Sequence, residues 1–317
     1  MKAIVQDGYG SADVLRLREV ADPVAGEEEV LVQVRAAGCG PDVWHLMTGL
    51  PYFARLVPQV RKARGAPRGR DVAGVVEAVG PRVADLKPGD EVMGVVEGSF
   101  AELAVGRADR LVRKPSRLTF EEAAAAPISG LTALQALRDV ARIRSGQTAL
   151  VIGAGGGVGT LTVQIAKAFG ASVTGVCSGA KADLVRSIGA DDVIDYTRED
   201  LTKRGPIFDV VIDAVGKYAY HWGRRALKPG GIYVETDFGP YKLETLVIAI
   251  ATRWLGSRRL KFAGGRRSKA DVQFMKELIE GGAYRPVIDR TYPIEQVAEA
   301  HRYVETWHKT GNVVLTL

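Results

Sequence analysis

Short apolar runs with alternating polar positions fill the first part of the chain. β-Branched residues concentrate in residues 2–6, 14–18, 30–37 and 71–79, and glycine, proline and aspartate separate these runs. Runs of this kind are typical of β-strands, and the residues between them are typical of turns. Many short strands at this spacing predict a compact, barrel-like β domain over the first 122 or so residues.

The pattern changes near Thr119 to alternating strands and helices. Thr119, with Glu121 and Glu122 after it, is typical of a capped helix start, because acidic side chains stabilise the first turn. Beyond this point helical stretches separate six apolar runs, which predicts a parallel sheet covered on both faces. The runs are residues 149–152, 173–177, 193–194, 210–213, 232–235 and 260–262.

One later helical stretch, residues 243–255, is strongly apolar and contains Trp254. Core packing and a lid over a pocket are both compatible with this pattern, and core packing is favoured. The tail predicts helices over residues 271–280 and 295–306 and a last strand over residues 313–315.

A glycine-rich turn lies between the apolar run 149–152 and the helical pattern after it, in the sequence TALVIGAGGGVGT. Strand, glycine turn and helix in this order open a dinucleotide-binding unit, where the backbone approaches a pyrophosphate and the helix N-terminus attracts the anion. Ala154, Gly156 and Gly159 occupy the three glycine positions of the fingerprint. A structural turn without a ligand is the alternative, but the second strand, residues 172–177, follows at the expected distance and favours a nucleotide.

The residues after the second strand indicate which nucleotide binds. A NAD site usually has an acidic residue there, but this chain has Ser178, and the nearest carboxylate, Asp183, falls in the next helix. Lys181 follows closely, and Tyr196 comes after the third strand. A hydroxyl, a cation and a phenol with no carboxylate to repel a 2′-phosphate predict NADPH. Taken alone, Lys181 would favour the alternative of a solvated lysine at a helix start, and the absence of the acidic residue shifts the preference to NADPH.

Length, composition and charge limit the number of domains, the location and the partners that we expect. The 317 residues suffice for two domains with a substantial core. No apolar run is long enough to span a membrane, and the N-terminus lacks the apolar core of a signal peptide, so we expect a cytoplasmic protein. The net charge of +6 is spread widely, apart from patches at residues 55–70 and 253–269, and neither patch is interleaved with stacking aromatics in a recognisable nucleic-acid-binding module. A nucleic-acid partner is therefore not expected.

Several motifs are distributed along the chain: WHLM at 44–47, GRDVAG at 69–74, KPGD at 87–90, GLTA at 130–133, the glycine turn, GAD at 189–191, DY at 195–196 and KPGG at 228–231. Together they resemble the medium-chain dehydrogenase/reductase superfamily, and most closely its zinc-independent quinone oxidoreductase-like branch. The resemblance covers essentially the whole chain. It implies a GroES-like β-barrel domain, residues 1–122 completed by 264–317, and a Rossmann domain, residues 123–263, with a doubly wound parallel sheet.

The resemblance also completes the expected cofactor site and assembly. An open sheet edge at residues 260–262 and the family resemblance predict a homodimer. The expected cofactor is NADP(H), held between the two domains. The candidate cofactor-binding residues, from the argument above and from the resemblance, are Thr132, Gly155, Gly156, Gly157, Val158, Ser178, Lys181, Tyr196, Val215, Phe238 and Asn312.

The zinc ligands of related enzymes have no counterparts in this sequence. Those relatives need a cysteine near Gly40, a His-Glu pair where Arg70 and Asp71 stand, and a third ligand near Ser129. Cys39 could act as a slipped ligand, but one ligand does not make a catalytic zinc site. We therefore expect no metal. Arg70 could polarise a substrate, although an ion pair with Asp71 is favoured.

Without zinc, hydrogen bonds must polarise the substrate carbonyl, and Tyr52 is the candidate catalytic residue because the resemblance places it in the pocket. A core or lid aromatic is the alternative for Tyr52. The expected function is an NADPH-dependent transfer of hydride to a quinone or an α,β-unsaturated carbonyl. The resemblance leaves two alternatives: a non-catalytic NADPH-binding protein with a crystallin-like or RNA-binding role, or an alcohol/aldehyde oxidoreductase.

Overall fold

The structure is a computed structural model that describes residues 1–50, 65–216, 220–237, 242–254, 257–264 and 267–317. Tyr52 and Phe238, two of the candidate site residues, lie outside these ranges. None of the helices described there has the length and hydrophobicity that crossing a membrane requires.

The strands are numbered in chain order. They are β1 (Lys2–Gln6), β2 (Leu15–Glu19), β3 (Glu29–Gly38), β4 (Asp71–Val79), β5 (Glu91–Val95), β6 (Leu103–Arg107), β7 (Leu111–Arg113), β8 (Thr148–Ile152), β9 (Ser172–Cys177), β10 (Asp192–Asp195), β11 (Phe208–Asp213), β12 (Leu227–Glu235), β13 (Arg259–Phe262), β14 (Ile288–Pro293) and β15 (Asn312–Thr316).

The α-helices are numbered in the same way. They are α1 (Pro41–Thr48), α2 (Phe120–Ala124), α3 (Pro127–Leu134), α4 (Gly157–Ala168), α5 (Ala182–Ser187), α6 (Tyr220–Gly223), α7 (Lys242–Trp254), α8 (Lys269–Glu280) and α9 (Val297–Glu305). The predicted cap of α2 is confirmed: the Thr119 hydroxyl accepts a bond from the Glu122 N–H, and the Glu122 carboxylate accepts one from the Thr119 N–H.

The chain forms two compact units. The first unit comprises Met1–Ile128, Arg267–Gly281 and Pro286–Leu317. Its larger sheet has the strand order β14-β15-β3-β4-β5-β7, with β6 also paired to β3. Along β3 the residues Val30, Val32 and Val34 are buried, because alternate side chains of a strand face the same side. The predicted β-rich N-terminal part is therefore confirmed.

The second unit comprises Ser129–Arg266 and Gly282–Arg285. Its six described strands are all parallel and have the order β10-β9-β8-β11-β12-β13. Numbered from β8, this is the order 3-2-1-4-5-6 of a doubly wound dinucleotide-binding sheet. The direction of winding reverses between β8 and β11, and ligands of such sheets bind beyond the carboxyl ends of the strands at this point. The predicted Rossmann-type sheet is confirmed.

Helix α7 only partly meets the expectation of core packing. Ile248 and Ala249 pack against the core of the second unit. Val247, Ile250 and Trp254 are exposed instead. A surface helix buries one stripe of its circumference, and α7 is apolar on more than that stripe.

Candidate cofactor-binding site

The glycine turn connects β8 to α4 at the carboxyl edge of the parallel sheet. Gly153 adopts a left-handed backbone conformation with φ of 78°. The N–H groups of Gly153 and Ala154 both donate to the Val176 carbonyl of the neighbouring strand at 3.0 Å, which fixes the turn to β9. Helix α4 then begins at Gly157. Because the first N–H groups of a helix have no acceptor within it, this turn presents free donors and the positive end of the helix dipole.

Steric limits explain why glycines occupy this turn. A Cβ at Gly159 would lie 2.0 Å from the Gly153 carbonyl oxygen, inside the backbone of the turn. A Cβ at Gly153 would lie 2.2 Å from Val215, and one at Gly155 would lie 2.6 Å from Lys181. The structure therefore brings two predicted cofactor residues, Val215 and Lys181, into contact with the glycine turn.

Ser178 and Tyr196 lie at the ends of the two strands next to the turn. Ser178 directly follows β9, and its carbonyl accepts from the Lys181 N–H at 2.9 Å. Tyr196 directly follows β10, and its N–H donates to Cys177 at 3.2 Å. The Tyr196 side chain is 45% exposed. A hydroxyl, an ammonium group and a phenol thus share one edge of the sheet with the glycine turn.

A carboxylate also lies at this edge, which the sequence argument did not expect. Asp195 ends β10, and its Oδ2 lies 2.6 Å from the position that a Cβ on Gly179 would take. The N–H and hydroxyl of Thr197 donate to Asp195 Oδ1 at 3.0 and 2.7 Å, and these bonds lower the pKa of the carboxyl. The expectation of no nearby carboxylate is wrong because it considered only the second strand, whereas Asp195 comes from the third.

A buried aspartate, Asp213, positions Val215 and was not singled out from the sequence. Its Oδ1 accepts from the N–H groups of Val215 and Gly216 at 2.9 and 3.0 Å, and its Oδ2 accepts from the Tyr233 hydroxyl at 2.8 Å. Burial raises the pKa of the Asp213 carboxyl. The signal that could have identified Asp213 from the sequence is an acidic residue at the end of an otherwise apolar strand.

Glu235 is the last residue of β12 and pairs with Asp213, the last residue of β11. It is almost fully buried. Burial, followed by the charges of Asp213 and Asp237, raises the pKa of Glu235 to about 8. The side chain therefore carries a proton at neutral pH and can donate a hydrogen bond at this edge of the sheet.

We expect Glu235 to make stability fall with rising pH. The folded protein holds the Glu235 proton up to a pKa of about 8, whereas the reference value is 4.5. The folded state therefore binds more protons between these values, so its stability is greatest at low pH and declines as pH rises through this window. Glu235→Gln should remove this decline and raise the melting temperature at pH 8.5 by about 3 °C. Thermal unfolding between pH 5.5 and 8.5 measures it, with the exposed Glu295→Gln as control. An unchanged pH slope in Glu235→Gln would contradict the assignment.

The remaining predicted cofactor residues are distributed over both units. Thr132 is half-buried in α3, and Val158 is half-buried in the first turn of α4. Asn312 belongs to the first unit, at the start of β15, where its backbone N–H and side-chain amide donate to the Val287 carbonyl at 2.8 and 3.3 Å. The structure therefore gathers the glycines with Lys181 and Val215 in the second unit, and Asn312 lies in the other unit.

The favoured ion pair between Arg70 and Asp71 is wrong. Arg70 Nε lies 3.8 Å from Glu97 Oε2, whereas Asp71 Oδ1 accepts from the Ile128 N–H at 2.8 Å. Asp71 begins β4, and neighbouring side chains of an extended chain point to opposite faces, so Arg70 and Asp71 diverge. Burial, and then the charge of Asp42, raise the pKa of Asp71.

The positions of the zinc ligands in related enzymes are occupied here by Gly40, Arg70, Asp71 and Ser129. Within the described ranges no group of three His, Cys, Asp or Glu side chains is placed to hold a metal. Cys39, the slipped candidate, is buried, and burial raises the pKa of its thiol.

Comparisons with known proteins assign the family. The family "Alcohol dehydrogenase GroES-like domain" matches residues 26–116, and "Zinc-binding dehydrogenase" matches residues 188–315. The mouse mitochondrial NAD(P)H oxidoreductase RTN4IP1 is 34% identical, over 100% of this chain and 89% of that protein. This chain belongs to the medium-chain dehydrogenase/reductase superfamily, in its quinone oxidoreductase-like branch.

Two further proteins extend the comparison. The chloroplastic NADPH-dependent alkenal/one oxidoreductase of Arabidopsis thaliana is 35% identical, over 99% of this chain and 79% of that protein. The Escherichia coli quinone oxidoreductase, solved in complex with NADPH, superposes with a TM-score of 0.85 and 26% identity, over 100% of both chains.

Proposed function

We propose that this protein is an NADPH-dependent, zinc-independent oxidoreductase that reduces a quinone or an α,β-unsaturated carbonyl. The observation that carries the proposal is the glycine turn at the reversal point of the parallel sheet, with Lys181 packed over Gly155. The relatives include an alkenal/one oxidoreductase and a quinone oxidoreductase, and their activities support the same reaction class.

The residues of the second unit fit a dinucleotide phosphate. The N–H groups at the start of α4, from Gly157 and Val158, would hold the pyrophosphate, because no carbonyl of the helix accepts from them. Lys181 and Ser178 would hold the 2′-phosphate through a cation and a hydroxyl. Thr197 and the Gly179 N–H already bond to Asp195, which reduces the repulsion that this carboxylate exerts on an anion.

The chain's own part in the reaction is to hold the substrate carbonyl and to supply a proton. The bound cofactor supplies a hydride. When hydride adds to the β-carbon of an enone, the carbonyl oxygen gains negative charge as an enolate. We propose that the Tyr52 hydroxyl donates to this oxygen and transfers its proton, since a positioned phenol stabilises charge that develops there.

NADPH oxidation with a panel of quinones, enones and simple aldehydes tests this function. Loss of NADPH absorbance with quinones or enones supports the proposal. Turnover restricted to alcohols and aldehydes would assign the other reaction class. Tight NADPH binding without turnover on any member of the panel would refute catalysis and favour a non-catalytic binding protein.

We expect Lys181→Ala to weaken NADPH binding and to leave NADH binding nearly unchanged. A charged hydrogen bond to the 2′-phosphate contributes about 1.5–3 kcal/mol, and NADH lacks that group. Both dissociation constants are measured at one salt concentration, because ionic contacts are screened by salt. Lys203→Ala removes an exposed lysine of the same unit and is the matched control. Equal affinity of the wild type for NADPH and NADH would rule out the preference.

Two further parts of the proposal concern metal and assembly. We propose that activity survives chelation, because the described residues supply no trio of zinc ligands; stoichiometric zinc lost together with activity would contradict this.

We also propose a homodimer in which β13, the last strand in the sheet order, pairs with the same strand of a second copy. Light scattering at micromolar concentration tests it, and a monomer would exclude it.

A further inference from the structure

Arg68 is a buried cation, and two of its three guanidinium nitrogens have no hydrogen-bond partner among the described residues. The residue is 3% exposed, and its Nε and Nη2 are buried without a partner in the described part of the chain. Backbone bonds hold it in place, since its N–H donates to Ile4 at 2.8 Å and its carbonyl accepts from Phe100 at 2.7 Å. The unsatisfied donors therefore belong to a well-anchored position of the first unit.

Two more buried donors without a partner among the described residues lie next to Gly69, the residue that follows Arg68. The Ser99 hydroxyl is fully buried and has no partner among the described residues, and it lies 2.4 Å from the position of a Cβ on Gly69. Gly69 has φ of 92°, so only glycine fits without strain there. Arg70 Nε is also buried without a hydrogen bond to any described residue, because Glu97 remains 3.8 Å away.

The charges around Gly69 do not balance. No described carboxylate bonds to Arg68; burial lowers its pKa to about 10, which leaves it charged at neutral pH. Arg70 adds a second positive charge nearby. Glu97 is shared by two arginines, since it lies 3.8 Å from Arg70 and 3.3 Å from Arg267. The other carboxyl groups of this region, Asp42 and Asp71, have pKa values raised by burial, which favours their neutral forms. A buried unpaired guanidinium is costly, and arginine does not relieve the cost by losing its proton.

We propose that Arg68, Arg70 and Ser99 form a binding site for a small oxyanion, a carboxylate or a phosphate, within the first unit. Two guanidinium groups and a hydroxyl offer the planar, charge-assisted donors that such groups accept. The anion satisfies donors that the protein leaves unpaired and removes the charge imbalance. These residues belong to the first unit and the glycine turn to the second, so the proposal does not depend on the proposed oxidoreductase function.

The test compares the full chain with single variants in buffers of equal ionic strength. Phosphate or acetate replaces chloride, and the melting temperature and calorimetric affinity are followed without cofactor. The wild type should gain saturable stability, and Arg68→Met should lose at least tenfold in affinity. Arg82→Met, an exposed arginine paired with Glu27 at 3.1 Å, should behave as wild type. Lys181→Ala should also keep the effect, which distinguishes this site from anions at the glycine turn.

A second readout separates ligand binding from a structural role of Arg68. Without the anion, Arg68→Met should raise the melting temperature, because it removes an unpaired buried charge; a structural arginine would lower it. If Arg68→Met does not fold, Ser99→Ala decides, with an expected several-fold loss of affinity. No saturable effect in the wild type, or undiminished affinity in both Arg68→Met and Ser99→Ala, would overturn the proposal. The anion that saturates at the lower concentration identifies the ligand as carboxylate or phosphate.

Discussion

Gly159→Ala should destroy the glycine turn, whereas Gly156→Ala should leave the fold intact and weaken only cofactor binding. A Cβ on Gly159 would lie 2.0 Å from the Gly153 carbonyl oxygen, and backbone on both sides leaves no room to relax. A Cβ on Gly156 would meet the same oxygen at 3.4 Å, an ordinary contact, and its φ of −93° suits any residue. The two glycines therefore have separable roles.

Thermal unfolding and NADPH titration measure both effects. Gly159→Ala should lose about 3 kcal/mol or more, because overpacking against rigid backbone is severe. That corresponds to a fall in melting temperature on the order of 10 °C. Gly156→Ala should melt within about 2 °C of the wild type and bind NADPH at least about tenfold more weakly, because a side chain at the helix start obstructs the pyrophosphate. Unaltered NADPH affinity in Gly156→Ala would show that no phosphate approaches this turn.

Tyr52→Phe should reduce kcat with an enone by about 10²–10³, the typical loss when one donor to a developing oxyanion is removed. NADPH affinity should stay unchanged, because the ring remains and only the hydroxyl is lost. With a quinone the reduction should be smaller, since its product anion is stabilised by the ring and needs less help from a donor. Tyr52 lies outside the described residues, so this prediction rests on the family resemblance and on the chemistry of the substrate oxygen.

Tyr284→Phe is the matched control for Tyr52→Phe. The Tyr284 hydroxyl is buried and has no hydrogen-bond partner in the described ranges, so its removal should leave kcat unchanged. Full kcat in Tyr52→Phe on both substrates would mean that Tyr52 packs and that the proton comes from solvent. Equal losses on both substrates together with weaker NADPH binding would show that Tyr52 shapes the site without donating.

Features that depend on local physics were predictable from the sequence. The glycine turn follows from the steric demands of one strand-helix connection. The capped helix start follows from two hydrogen bonds between Thr119 and Glu122, which are only three residues apart. The parallel sheet follows from alternating apolar runs and helices, because that alternation permits few topologies. These elements could be placed without any knowledge of distant contacts.

Features that depend on distant neighbours were not predictable in the same way. Arg70 approaches Glu97, and Asp195 approaches Gly179, through pairings of strands that a linear pattern does not specify. The raised pKa of Glu235 arises from burial and from Asp213, a residue of the adjacent strand. The apolar residues of α7 could not be divided into buried and exposed before the packing of that helix was known.

The pairing of β15 with β3 has a consequence for synthesis on the ribosome. Val314 and Leu315 of β15 pair with Gly38 and Ala37 of β3, so the first unit needs residues 312–316 to complete its sheet. The second unit is nearly continuous in sequence, and all its strands are synthesised before β15, the strand that pairs with β3. Pairings of such wide sequence separation form slowly. The nascent chain can therefore complete the second unit while the larger sheet of the first unit still lacks β15. Chaperone protection is most needed during that interval.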